Sequence, residues 1–164
     1  MEEIIRDLQF IANKSLNNKD EFELFKRMVK TIPVTKFDEM AQPIVEKITA
    51  AIDCKQCGNC CRHQEPGVTN DEMEILAEKK NITVEDFKDK FIAWDKENVS
   101  FLCVKPCTFL VGNECSVYSS RPNSCADFPG LHRPRLKWRM KQMEENYSIC
   151  PIVFNVVEQL KKLV

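Results

Sequence analysis

CKQCGNCC, residues 54–61, places Cys54, Cys57, Cys60 and Cys61 within eight residues. Two spaced thiols such as Cys54 and Cys57 can close a tight turn around one metal ion. Gly58 follows, where a backbone without a side chain can fold round sulfur. The adjacent Cys60 and Cys61 are poorly placed to bridge one another, because a disulfide between neighbours is strained. The chain has nine cysteines, so disulfides alone would strand one. Its start, MEEIIRDLQF, lacks the apolar core and small-residue cleavage site of a secretory signal. No segment approaches the length of a membrane span. The expected location is the cytoplasm, where thiols stay reduced and clustered cysteines point to metal.

Outward from this stretch the patterning is mostly helical. Ile4, Ile5, Leu8 and Ile11 recur at helical spacing, as do Phe22, Phe25, Met28 and Val29. Pro43 is expected at the first position of a third helix that turns Ile44, Val45, Ile48 and Ile52 inward. Asn17-Asn18 and Thr31-Ile32-Pro33 mark the breaks. Downstream, Thr69-x-x-Glu72 reads as a capping box and Thr83-x-x-Asp86 opens another helix. Residues 101–130 are rich in turns, and Phe109-Leu110-Val111 with Gly112-Asn113 predicts a short hairpin leading to Cys115. Helical spacing returns at Leu136, Met140, Met143 and Tyr147. Cys150-Pro151 then starts a last helix whose face carries Val153, Val156, Val157, Leu160 and Val164.

The expected fold is mainly α with a loop-rich, cysteine-bearing centre and at most a short β-hairpin, stapled by metal. Residues 1–52 form a helical segment and 53–164 the cysteine region, within one compact domain. At 164 residues and 43% apolar content the chain can bury a real core. Net charge is -1, so no global electrostatic argument favours nucleic acid or membrane. Four scattered glycines exclude a phosphate-cradling loop and a dinucleotide fingerprint.

A second set of cysteines, Cys107, Cys115, Cys125 and Cys150, is loosely spaced, and each alone also reads as a small buried hydrophobe. The ordered elements CKQCGNCC, CTFLVGNECSVYSSRPNSCADFP and CP resemble the YkgJ-type cysteine-cluster family of zinc- or iron-chelating proteins. That pattern runs CxxCxxCC, C-x-F-L, then C-x-[IV]-Y-x-x-R-P-x-x-C-x-x-F-P and a distal cysteine. Here the elements fall on Cys54 to Cys61, on Cys107, on Cys115 with Tyr118, Arg121, Pro122, Cys125 and Phe128-Pro129, and on Cys150. The likeness spans about residues 54–154 and leaves the first 50 outside. Cys103 does not fit and is taken as a spare thiol. The resemblance implies a metal centre of Cys54, Cys57, Cys60, Cys61, Cys107, Cys115, Cys125 and Cys150.

Eight thiolates would suit two closed zinc sites or an iron–sulfur cluster. The first reading is a zinc- or iron-binding module. The alternative is an iron–sulfur enzyme with redox or methyl-transfer activity, since flagellin lysine methylase is similar in this cysteine region; no cosubstrate site is visible, so enzyme activity stays open. Lys55, Arg62, Lys105 and Arg121 lie near the sulfurs in sequence and could offset their charge. His63 and His132 are dispensable beside eight cysteines and read as surface or supporting groups. The cationic run HRPRLKWRMK around Trp138 could face nucleic acid, but Glu144 and Glu145 restore balance, and a solvated helix face is the plainer reading. The expected partners are a metal ion and, for a module acting on others, a protein; nucleic acid and membrane are not expected.

Overall fold

The computed structural model describes residues 3–164 and is mainly helical. In chain order come α1 (Leu8–Asn17), α2 (Lys19–Thr31), α3 (Val34–Ala51), α4 (Cys54–Cys57), α5 (Cys60–His63), α6 (Asn70–Lys80) and α7 (Val84–Phe91). Two antiparallel pairs follow, β1 (Ile92–Trp94) with β2 (Ser100–Leu102) and β3 (Leu110–Val111) with β4 (Glu114–Cys115). After them come α8 (Asn123–Asp127), α9 (Met140–Tyr147) and α10 (Pro151–Leu160). The β3–β4 pair is the hairpin expected from sequence, turned at Gly112-Asn113; β1–β2 is additional. The chain divides into two units: residues up to Asp53 with Pro129–Val164, and Cys54–Phe128.

In the first unit α10 is the centre. Every residue from Pro151 to Val157 is buried, so the helix is covered all round rather than on one stripe. It packs on α3, α9 and α1. Phe25, Phe37, Phe154, Ile48 and Leu160 are fully enclosed, and burying each such side chain stabilises by about 1.5–3 kcal/mol.

Three expectations fail here for local reasons. Ile4 and Ile5 do not begin α1. The Asp7 side chain accepts the Phe10 N–H and starts the helix at Leu8. Ile5 runs outside it, its N–H and C=O both held by the Asn155 amide at 2.9 and 2.7 Å. Pro43 does not open a helix but lies inside α3, which begins at Val34 after Pro33. The missing N–H removes one helical bond, and burial of Phe37, Ala41, Val45 and Ile48 outweighs it. Val164 lies beyond the end of α10 and does not share its face.

In the second unit the capping box is complete: Thr69 accepts the Glu72 N–H and Glu72 accepts the Thr69 N–H. It starts α6, and Asn81, at φ 54, stops it. Thr83 caps α7. Met73, Leu76, Phe87, Ile92, Leu102, Phe109 and Val117 form the core of this unit, with Cys107 and Cys115 packed against it. Among the described residues, no helix is long and apolar enough to cross a membrane.

Candidate metal centre

The local fold brings the cysteine segments of the second unit together through backbone contacts. The Cys107 N–H donates to the Cys61 carbonyl at 2.7 Å, joining the central loop to α5. The Cys107 carbonyl accepts from Leu110 at 2.9 Å, and Leu110 pairs with Cys115 across the hairpin. Cys125 sits in the first turn of α8, its N–H on the Pro122 carbonyl. Arg62 in α5 donates to the Gly112 carbonyl at 2.9 Å and to Asn113 Oδ1 at 2.7 Å. Gly58, at φ +60, lies under the same turn, where an added Cβ would stand 2.5 Å from the Asn113 carbonyl oxygen. The α4–α5 segment and the β3–β4 hairpin are thus pressed together at a point where no other residue type fits without strain.

These contacts set the thiols within electrostatic reach of one another. Cys61 is pulled down to about 7 by a hydrogen bond from the Cys60 thiol, against its burial, with help from Arg62 and a backbone amide. Burial pushes Cys107 up; the Phe109 N–H counters, the charges of Cys61 and Cys115 push further, and Lys80 pulls back. Cys115 is raised by burial and by Cys61, and lowered by the Val117 N–H and Arg121. Cys125 is pushed up to about 12 by burial and by Cys107, Cys61 and Cys115. Four sulfurs from separated segments therefore repel one another when ionised, and a bound cation would relieve that repulsion. Cys107 and Cys115 each already accept an N–H from the residue two positions on, which favours the ionised sulfur that a metal needs. The donor set fits soft thiolate coordination of zinc or iron. Among the described residues, no three His, Cys, Asp or Glu side chains form a ready-made cage for an ion.

The remaining sequence candidates fall as follows. Among the described residues no cysteine is in a disulfide. Cys54 is exposed, and Cys57 and Cys60 are half-buried. Cys103 is exposed in the loop just after β2. Cys150 is buried in the first unit as the residue before α10, its N–H on the Asn146 carbonyl at 2.8 Å. His63 and His132 are exposed. Of the four nearby cations, Arg62 and Arg121 act on Cys61 and Cys115. Arg121 also lies 3.7 Å from the Tyr118 ring centroid and donates to the Tyr118 carbonyl at 2.6 Å. Lys55 stands 4.8 Å from the same ring, and Lys105 pairs with Glu65 at 2.7 Å. In the cationic run, Lys137 donates to the Lys30 and Ile32 carbonyls at the end of α2, and Arg139 donates to the Arg133 carbonyl. Trp138 is exposed.

Sequence reasoning missed Lys80. It lies at the end of α6, 27 residues before Cys107 in the numbering, and no motif marks it. The only signal was its place in the last turn of a capped helix, a common site for a cation.

No curated protein and no solved structure matches the chain. A family model does match, over residues 53–151, which is more than half of the sequence. Its boundaries take in the cysteine run, Cys107, Cys115, Cys125 and the distal Cys150-Pro151, and the chain belongs to that CxxCxxCC family, described as a "putative zinc- or iron-chelating domain".

Proposed function

We propose that the protein is a cytoplasmic metal-binding module that holds zinc or iron through Cys54, Cys57, Cys60, Cys61, Cys107, Cys115, Cys125 and Cys150. The observation that carries this reading is the family match over residues 53–151, supported by the Cys107 N–H on the Cys61 carbonyl and the pairing of Leu110 with Cys115, which set those segments side by side. Cys60 supports it by its hydrogen bond to Cys61. Cys54 and Cys57 enter through the tight Cys-x2-Cys spacing. Cys150 enters through the family pattern alone. The bound metal would supply positive charge for the thiolates and, at an open position, a Lewis acid. The protein's own part is uneven: the Cys60 thiol and Arg62 favour ionised Cys61, whereas burial outweighs the Phe109 and Val117 N–H groups and Arg121 at Cys107 and Cys115, so those sulfurs would lose their protons to the metal.

Anaerobic purification, elemental analysis and a visible spectrum test the proposal. Stoichiometric zinc in colourless protein, or iron, supports it. Iron with acid-labile sulfide and a brown colour supports an iron–sulfur centre and brings redox or methyl-transfer chemistry forward. Freshly isolated protein that neither carries nor takes up zinc or iron refutes it. Cys107→Ser and Cys150→Ser should each lower the metal content; unchanged stoichiometry removes that cysteine from the site.

A further inference from the structure

The cations nearest the cysteines in sequence are all close to a cluster motif, but Lys80 reaches the centre from a different helix. α6 ends sharply at Asn81, and its last side chain, Lys80, turns into the unit and is half-buried. Its Nζ donates to the Thr108 carbonyl at 2.9 Å, directly after Cys107. It also stands 4.9 Å from the Phe109 ring centroid and 5.5 Å from that of Phe91. Phe109 is buried in the core of the unit. The ammonium is therefore fixed by two aromatic rings and a carbonyl, with little freedom to swing into water. Among the described residues it forms no ion pair with a carboxylate, and the carbonyl it holds belongs to the residue next to Cys107.

We propose that Lys80 is a positioning residue of the thiolate centre, holding the Cys107 loop by the Thr108 carbonyl and placing a fixed positive charge beside the metal-bound sulfur. This inference rests on the metal-binding reading above. Aromatic packing alone would need only an apolar chain at this position. A charge that acts on bound thiolate must also change how the sulfur donates to metal.

The test uses the full chain with zinc(II) or cobalt(II) as the probe, and the variants Lys80→Met, Lys80→Gln and Lys80→Arg. The methionine keeps the stem and removes the charge; the arginine keeps the charge. Loss of a supporting group around a metal ligand commonly weakens binding about 10- to 100-fold. Lys80→Met and Lys80→Gln should therefore bind zinc at least about 10-fold more weakly in chelator competition. Their thiolate-to-cobalt charge-transfer band should move to longer wavelength, because the sulfur electrons are held less firmly. Lys80→Arg should restore most of the affinity and the band position. Neutral variants with the wild-type band, or an arginine variant that behaves like methionine, overturn the proposal while leaving the metal-binding reading intact. Failure of both neutral variants to fold would make Lys80 a packing residue and likewise overturn it. Wild-type protein that binds neither zinc, iron nor cobalt would instead sink the metal-binding reading, and this inference with it.

Discussion

Replacing Gly58 by alanine is the sharpest test of how the α4–α5 segment and the β3–β4 hairpin are joined. Gly58 has φ +60, which costs an L residue about 1–2 kcal/mol. Its added Cβ would meet the Asn113 carbonyl oxygen at 2.5 Å and the Asn113 carbonyl carbon and Cα at 2.9 Å. These are backbone atoms, so relief requires the hairpin turn to move. Forcing extra atoms into a filled site costs about 1–3 kcal/mol more. The expected destabilisation is the sum, about 2–5 kcal/mol. Gly112 provides the control. Its φ is +63, but nothing lies within 4 Å of its added Cβ. Gly112→Ala should cost only the backbone term, about 1–2 kcal/mol. Urea unfolding of both metal-free variants against the parent, followed by circular dichroism, measures the difference. Gly58→Ala should also disturb the Arg62 contacts to Gly112 and Asn113 and lower the metal content, whereas Gly112→Ala should not. Equal destabilisation by the two substitutions would refute the close approach.

Glu72 accepts the Thr69 N–H through one carboxylate oxygen and the Asn123 N–H, at the start of α8, through the other. Thr69→Ala should therefore cost about 1 kcal/mol, and Glu72→Ala more, because it also frees the segment that carries Cys125; urea midpoints compare them. In the first unit burial raises Glu158, but Lys14, Tyr147 and Lys161 outweigh it and hold the carboxyl below its ordinary 4.5. A depressed carboxyl contributes stability above the unfolded value that is lost as pH falls through the folded one. Acid titration of stability should then show a drop below about pH 4.5 that is reduced in Glu158→Gln; an unchanged acid limb would reject this account.

How much the sequence disclosed differs from one residue to the next. Thr69 and Glu72 were legible because a capping box is closed within one helical turn. The Gly112-Asn113 turn was legible for the same reason, since hairpin register follows from neighbouring residues. Ile4 and Ile5 misled because their helical spacing was genuine but Asn155, 150 residues along, took the Ile5 backbone. Pro43 misled because a proline commonly opens helices, whereas here the buried faces on both sides of it hold one helix through.

The sequence by itself determined the family: ordered cysteines in its pattern supply soft donors whatever the fold around them. It also determined the starts of α6 and α7, because the Thr69 and Thr83 caps act through hydrogen bonds a few residues long. Only the tertiary structure decided that the Cys107 N–H meets the Cys61 carbonyl and that Lys80 stands over Phe109. Those relations depend on where the chain returns after loops and helices of many residues, and that path is set by burial of the core, which no local spacing encodes.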